Sequence, residues 1–198
     1  HGKPLLSWHL GSVRRAGVAD IVVVGGYRMD GLVAPGARVV VNPEFESTNM
    51  VMSLWCAEPW FGDGFLMGYG DIVYNPEVLV KLMNSSGDVA VVVDRLWRSY
   101  WERRTTDVLG DAESLSVDAR GMIASIGQKV KDIQEIQGQY IGLVAFRREG
   151  LKAARGLVAR EREANERGEN LICPQRSLRR LYMTDLLQGL IREGVPVE

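Results

Sequence analysis

The chain has 198 residues, of which 46% are hydrophobic and 25% are charged, and its formal net charge is −1. This composition is ordinary for a soluble globular protein, and the chain lacks the overall basic field that attracts nucleic acid or an anionic membrane. No apolar run is long enough to span a membrane. Cys56 and Cys173 have no metal-type spacing, so we expect reduced thiols and a cytoplasmic location. With His1 and His9 as the only histidines, neither a histidine base nor a His-rich zinc site is expected.

The first half of the chain alternates predicted helices and strands with short connections. Predicted helices cover residues 5–16, 50–60 and 76–83, and predicted strands cover residues 20–26, 38–41, 64–73 and 88–93. The strands are short, continuous apolar runs, which is typical of strands buried on both faces of a parallel sheet. The alternation predicts an α/β fold with a mixed, mostly parallel sheet flanked by helices.

The second half of the chain has a different pattern of predicted elements. Residues 114–117 and 122–126 flank a turn-like stretch, so we predict a small β-hairpin there. A further strand is predicted over residues 139–147, and helices over 150–167 and 179–193. The alternating charges of the first of these helices predict a solvated face rather than a binding patch.

The dipeptide Gly70-Asp71 interrupts the apolar run of residues 64–73, and a helix is predicted from Pro76. In open α/β sheets ligands bind beyond the carboxyl ends of strands, so Asp71 would face a ligand crevice. A lone carboxylate there suits a divalent cation that is held against phosphates. The alternative is that Asp71 caps the following helix, and the spacing by itself leaves both interpretations open.

Several short motifs follow one another in a fixed order along nearly the whole chain. They lie at residues 1–6, 16–27, 42–43, 48–54, 70–71, 126–129, 140–143 and 182–187. Their order and spacing resemble the nucleotidyltransferase superfamily that makes activated sugars and alcohols. The Asn-Pro, Thr-Asn-x-x-x-Ser and Ile-Gly-x-Lys pieces are most similar to the bacterial CTP:phosphocholine and CTP:phosphonate cytidylyltransferases. The family's N-terminal glycine-rich loop and C-terminal acidic motif are absent from this sequence.

The resemblance implies a single Rossmann-like nucleotidyltransferase domain over residues 1–198, with the β-hairpin on the acceptor side. It implies Mg²⁺-dependent transfer of a nucleoside monophosphate, with CMP favoured, from an NTP to a small phosphorylated or phosphonylated acceptor, with release of pyrophosphate. One alternative is a sugar 1-phosphate acceptor, and another is a catalytically silent domain for nucleotide binding or assembly. The nucleotide base, the acceptor and the oligomeric state, including a homo-oligomer, stay open.

The resemblance also assigns the catalytic and nucleotide-binding residues. Asp71 would hold Mg²⁺, and Lys129 would reach the acceptor's phosphate in the same crevice, with Lys131 as its substitute and an ordinary exposed lysine as the alternative. The expected nucleotide-binding residues are Gly25, Gly26, Thr48, Asn49, Ser53 and Gly70. For these residues the alternatives are tight turns at the glycines and helix capping by the polar residues.

Residues 94–104 pack three aromatic residues and four arginines between two predicted strands. The expected acceptor-binding residues are Asp94, Trp97, Arg98, Trp101, Arg103, Arg104, Glu113 and Tyr140. A helical turn would set Trp97 and Trp101 on one face, where aromatic rings suit a cationic acceptor. The alternative is an aromatic cover over the core, with Asp111 and Glu113 as solvated carboxylates.

Overall fold

The computed structural model describes residues 2–198 apart from the side chain of Asp111, so His1 and the Asp111 carboxylate lie outside the described part of the chain. The helices are α1 (Leu5–Arg15), α2 (Met50–Cys56), α3 (Pro76–Met83), α4 (Trp97–Arg104), α5 (Val108–Asp111), α6 (Arg148–Glu166) and α7 (Met183–Arg192). The strands are β1 (Val22–Gly25), β2 (Arg38–Val41), β3 (Gly64–Gly68), β4 (Val89–Asp94), β5 (Leu115–Val117), β6 (Ile123–Ile126) and β7 (Gln139–Arg147). Among the described helices, none is long and apolar enough to cross a membrane.

The mixed α/β class is confirmed, but the mostly parallel sheet is not. Strands β1 and β2 pair in parallel, whereas β7 lies between β3 and β4 and is antiparallel to both. Strands β3 and β4 therefore run in the same direction, as their connection through α3 predicts, without being neighbours. The sequence pattern of each strand is compatible with either direction, so the return of β7 between them could not be read from it.

The main core lies where α6 and α7 cover the sheet. Its fully buried side chains include Leu186, Leu187 and Leu190 of α7 and Phe146 of β7. Strand β1 was expected to be buried on both faces, but all four of its residues are only half-buried. It pairs with β2 on one edge, and a cavity separates it from β3.

The predicted hairpin is present as the antiparallel pair β5–β6. Asp118 Oδ1 accepts backbone hydrogen bonds from Arg120 and Met122, at 2.8 and 3.0 Å, which closes the turn. Past the hairpin, Gly127 has a φ of 74°, and a Cβ there would lie 2.5 Å from the Cβ of Thr184. Glycine is thus required for the chain to leave β6 against α7, and this geometry places Lys129.

The solvated face expected for α6 carries one exception, because Glu161 is completely buried. Its carboxylate accepts hydrogen bonds from the backbone N–H groups of Leu171 and Ile172, at 2.8 and 2.9 Å, and from Asn165 Nδ2 at 2.9 Å. A buried carboxylate is tolerated when it is fully hydrogen-bonded. Glu161 therefore anchors the loop after α6, and that loop contributes to the site described below.

Tyr69 follows β3 and packs directly over Gly142 of β7. Gly142 has a φ of 82°, and a Cβ at this position would lie 2.4 Å from Cδ2 of the Tyr69 ring. A glycine inside a strand often marks such a close approach. Gly142 therefore determines where the Tyr69 ring lies.

We predict that Gly142→Ala destabilises the protein by roughly 1–3 kcal/mol, because the new Cβ meets both a left-handed backbone and the Tyr69 ring. Chemical denaturation monitored by circular dichroism measures this change. Gly156→Ala is the matched control, since Gly156 lies inside α6 and its new Cβ would meet only the flexible Arg160 side chain at 3.4 Å. That control should stabilise the protein by about 0.5–1 kcal/mol. Equal effects of the two substitutions would contradict the role given to Gly142.

Candidate active site

The ends of three strands meet at one edge of the β3–β7–β4 sheet. Asp71 follows β3, Asp94 ends β4 and pairs with Gln139, and Tyr140 pairs with Val93. Because β7 is antiparallel to its neighbours, its first residues lie beside the last residues of β4. Asp71, Asp94 and Tyr140 thereby line a cavity of about 700 Å³, here called the Asp71 cavity. Its wall also includes Tyr69, Tyr100, Trp101 and Arg104.

Asp71 has a free, exposed carboxylate. Among the described residues it has no hydrogen-bond donor and no ion-pair partner. Asp71 does not act as a helix cap, because α3 begins after Asn75 and has no side-chain cap. The carboxylate is therefore available to a ligand.

Tyr69 is a site residue that the sequence analysis missed. Its pKa is raised first by burial, and then by the negative charges of Glu113 and Asp71. Its ring contacts the Tyr140 ring edge to face, with centroids 6.0 Å apart. Tyr69 thus lies within electrostatic reach of both carboxylates. The glycine at position 142, beneath its ring, was the available sequence signal.

Glu113 is the second carboxylate near this tyrosine. The residue is exposed on one side, yet desolvation raises the pKa of its carboxyl, while a hydrogen bond from Thr184 lowers it. The charges of Arg176 and Lys129 also lower this pKa. The backbone of Glu113 is held by Gln139, whose Nε2 donates to the Glu113 carbonyl at 2.6 Å. Glu113 therefore has a fixed backbone, and its carboxylate feels two cationic side chains as well as the negative charge of Asp185, which raises its pKa.

Lys129 lines a different cavity, of about 570 Å³, here called the Lys129 cavity. The other charged side chains in its wall are Arg176, Arg192 and Asp185. Lys131 is exposed and lines neither cavity. The expectation that Lys129 and Asp71 face one crevice is not what the structure has. Electrostatically, the charge of Lys129 lowers the pKa of Glu113, and the charges of Glu113 and Asp71 raise the pKa of Tyr69.

Four of the six expected nucleotide-binding residues line a third cavity, of about 680 Å³, between β1 and β3. They are Thr48, Asn49, Ser53 and Gly70. Asn49 occupies the N-cap position of α2, but neither its side chain nor that of Thr48 makes a capping hydrogen bond. Asn42, missed as a site residue, donates from Nδ2 to Thr48 Oγ1 at 2.9 Å and to Ser53 Oγ at 3.0 Å. The Asn-Pro motif was its sequence signal.

Gly25 and Gly26 do not line that cavity, and packing explains both. A Cβ on Gly26 would come within 2.3 Å of the Phe45 Cβ, and one on Gly25 within 2.5 Å of the Met29 sulfur. Close side-chain packing, rather than the tight turn considered as the alternative, therefore accounts for these glycines, neither of which has a positive φ. Their role in nucleotide binding stays a prediction.

Helix α4 divides the expected acceptor-binding residues. Trp97 is 3% exposed and packs with Ala112 and Ile136, which is the core role considered as the alternative. Its ring contacts Trp101 edge to face, with centroids 6.1 Å apart, and Trp101 lines the Asp71 cavity. The three expected acceptor-binding arginines of α4 also differ in their surroundings. Arg104 lies 5.7 Å from the Trp101 ring, Arg98 pairs with Glu102 at 2.9 Å, and Arg103 is exposed outside the cavity.

A metal site would have to depend on Asp71. Among the residues that the structure describes, no group of three or more His, Cys, Asp and Glu side chains could hold a metal ion. Mg²⁺ is commonly held by one or two carboxylates, with waters and substrate phosphates completing its shell. A single free carboxylate at the mouth of a cavity fits that mode of binding.

Comparison with known proteins gives a consistent picture. The model of the MobA-like NTP transferase domain matches residues 1–190. The chain is 30% identical over 202 residues to the CTP:phosphoglutamine cytidylyltransferase of Campylobacter jejuni, covering 96% of this chain and 77% of that protein. It is 29% identical over 125 residues to the CMP-5'-(3-aminopropyl)phosphonate synthase of Streptomyces rubellomurinus, covering 59% of this chain and 19% of that protein. The inositol-1-phosphate CTP transferase of T. maritima has the same fold, with a TM-score of 0.67 and 18% identity, over 100% of this chain and 72% of that one.

We predict that Glu113→Gln raises the melting temperature at pH 7. The folded-state pKa of Glu113 lies above its unfolded value, so folding is favoured by the protonated form. That contribution is complete below the unfolded pKa, about 4.3, and is lost as the pH rises through the folded pKa. Glutamine is neutral at every pH, so the variant does not lose this stabilisation as the pH rises. Thermal melts at pH 4, 5.5 and 7 should show a gain that grows with pH.

The control is Glu163→Gln on α6, where the carboxylate is exposed and has no side-chain partner among the described residues. The difference in melting temperature between this variant and the unmodified protein should be the same at all three pH values. A Glu113→Gln protein without any gain at pH 7 would contradict the proposed desolvation of Glu113.

Proposed function

Because this chain belongs to the family of MobA-like NTP transferase domains, and is a nucleotidyltransferase, we propose that it transfers CMP from CTP to a small acceptor. The acceptor carries a phosphate or phosphonate, pyrophosphate is released, and Mg²⁺ is the cofactor. The names of the Campylobacter and Streptomyces relatives, a CTP-dependent transferase and a CMP-phosphonate synthase, support the choice of CTP and of this acceptor class.

The observation that carries the proposal is the free Asp71 carboxylate at the sheet edge. It lies in a cavity whose wall also holds a cation, Arg104, and an aromatic side chain, Trp101. Bound at Asp71, Mg²⁺ would neutralise charge on the nucleotide phosphates. A carboxylate without a structural partner, beside groups suited to a charged ligand, is the arrangement that this reaction needs.

The proposed reaction requires little acid–base chemistry. An acceptor oxygen that is already anionic attacks the α-phosphorus of CTP, a new P–O bond forms, and the bond from the α-phosphorus to the bridging oxygen breaks. The electron pair leaves with pyrophosphate, and no proton has to move. The protein's task is therefore positioning and charge neutralisation. We assign the anionic part of the acceptor to Lys129, a point charge suited to that role.

The nucleotide is proposed to occupy the cavity between β1 and β3. Asn42 fixes the hydroxyl groups of Thr48 and Ser53, so these side chains are ordered before any ligand arrives. Gly70 lies in the wall of this cavity, next in the chain to Asp71. A nucleotide there would have its phosphates near the proposed metal ligand, which supports the order of the two cavities along the substrate.

The acceptor is proposed to enter the Asp71 cavity on the side of α4. Trp101 lines this cavity, and the centroid of its ring lies 5.7 Å from the guanidinium carbon of Arg104. Asp94 lines the same cavity and adds negative charge. An aromatic ring beside a carboxylate favours an acceptor that also carries a positive group.

We predict that Asp71→Asn lowers kcat by at least about 10²-fold at saturating Mg²⁺, because a metal that loses its carboxylate loses several kcal/mol of transition-state stabilisation. Pyrophosphate release with CTP and phosphocholine or 2-aminoethylphosphonate measures the rate. Asp63→Asn is the control, since that residue is exposed and its side chain has no partner among the described residues. Near-normal turnover by Asp71→Asn would remove Asp71 from the mechanism.

We predict that Trp101→Leu and Trp97→Leu separate function from stability. Trp101→Leu should lower kcat/KM for phosphocholine relative to glucose 1-phosphate by about 2- to 30-fold, the value of one cation–π contact. Trp97→Leu should instead destabilise the protein by about 2 kcal/mol or more, because it opens a gap in a core cluster. The ratio of the two kcat/KM values and denaturation curves provide the readouts. The opposite pattern would exchange the roles of the two tryptophans.

A further inference from the structure

We propose that Arg176, in the wall of the Lys129 cavity, binds a second acid group of the acceptor, a carboxylate distinct from the reacting phosphate assigned to Lys129, and that Arg176 determines this specificity. The inference rests on the proposed function, since it names the class of acceptor. The acceptor would then be a phosphorylated or phosphonylated acid, with the two anionic groups at its two ends. Neither the sequence motifs nor the names of the relatives assign a role to Arg176.

The charge balance of the cavity carries the first step. Its wall holds three cationic side chains, Lys129, Arg176 and Arg192, and one carboxylate, Asp185. Even when Glu113 is included, which feels the charges of Lys129 and Arg176, the cations outnumber the carboxylates by three to two. A concave surface with an excess of positive charge favours an anionic ligand.

Arg176 is held in a fixed conformation. Its Nη1 donates to both carboxylate oxygens of Asp185, at 2.7 and 3.0 Å, and contacts the Cys173 sulfur at 3.6 Å. Its guanidinium carbon lies 4.8 Å from the centroid of the Tyr182 ring. Its Nε and Nη2 have no acceptor among the described residues, so one side of the planar group is left for a ligand. Two parallel N–H groups of this kind match a carboxylate.

Asp185 is the residue that positions this guanidinium. It is 6% exposed, and its Oδ2 accepts a hydrogen bond from the Tyr182 backbone N–H at 2.9 Å, which fixes it in the first turn of α7. The ordering of Arg176 is thus part of folding, so ligand binding does not have to immobilise a long side chain. A lysine in place of Arg176 would keep the charge but lose this geometry.

The open side of Arg176 points to a second anionic group, because Lys129 in the same wall is already assigned to the reacting phosphate. Asp71, where the chemistry is proposed, lines a different cavity. A phosphate near Asp71 leaves Arg176 unused. An acceptor that extends from Asp71 to Arg176 needs an acid group at its far end.

The test uses two acceptors that differ by one carboxylate, O-phosphoserine and phosphoethanolamine. With CTP, the unmodified protein should favour phosphoserine in kcat/KM by about tenfold or more, which is the range of a charge-assisted hydrogen bond. Arg176→Gln should reduce this ratio to about one by raising the KM of phosphoserine, with the KM of CTP unchanged. Asp185→Asn should lower the ratio in the same way but less. Arg160→Gln, which breaks an exposed pair with Glu193, is the matched control and should keep the full ratio.

Binding in the absence of CTP distinguishes this inference from the proposed function. Isothermal titration should show tighter binding of phosphoserine than of phosphoethanolamine, and the difference should vanish in Arg176→Gln. If no acceptor is turned over but this binding difference is found, the acid site stands and the transferase proposal falls. Equal binding and equal turnover of the two acceptors would overturn the acid site alone.

A folding defect in Arg176→Gln would be recognised by circular dichroism, and Arg176→Lys then serves in its place. The lysine variant keeps the charge against Asp185, so it should fold and still lose most of the preference for phosphoserine. Full selectivity in a folded Arg176→Lys protein would overturn the role of the guanidinium.

Discussion

The site depends on the insertion of β7 between β3 and β4. Neighbouring strands lie about 4.8 Å apart, so two strands separated by a third are roughly 10 Å apart. Asp71 and Asp94, which follow or end those two strands, therefore flank a space instead of crowding each other. Had β3 and β4 been direct parallel neighbours, as their connection through α3 suggests, two carboxylates would meet at one edge with little room for a ligand.

The same strand carries the local irregularity that shapes the site. The pairing of β4 with β7 shifts register between Val91 and Val93, opposite the part of β7 that contains Gly142. Irregular pairing changes the direction of side chains at sheet edges and beside active sites. Here it coincides with the place where Tyr69 packs on the glycine, so the sheet departs from regular geometry at the point where the ring needs space.

The sequence predicted local structure well, because periodicity and turn residues act over a few positions. The bounds of β2 and α3 agree with the sequence-based ranges, whereas the roles that the motifs assign to Asp71 and Lys129 stay predictions. Long-range pairing left no such signal, so the direction of β7 was missed. Glu161 shows the same limit, since its partners at positions 171 and 172 decide its burial. Trp97 and Trp101 share one helix face, yet only their surroundings separate a core residue from a cavity residue.

The packing of these residues also determines how charge is distributed around the site. Burial raises the pKa of Tyr69 first, and Glu113 and Asp71 raise it further. The pKa of Glu113 is raised by burial and by the charge of Asp185, and it is lowered by the charges of Arg176 and Lys129. A neutral residue at position 113 would avoid the cost of desolvating a carboxylate. The presence of an acid there is understandable if the ligand is the group that compensates it. The folded chain carries a desolvated acid, a free acid and a guanidinium with one open side. A charged substrate would supply the partners that these groups lack.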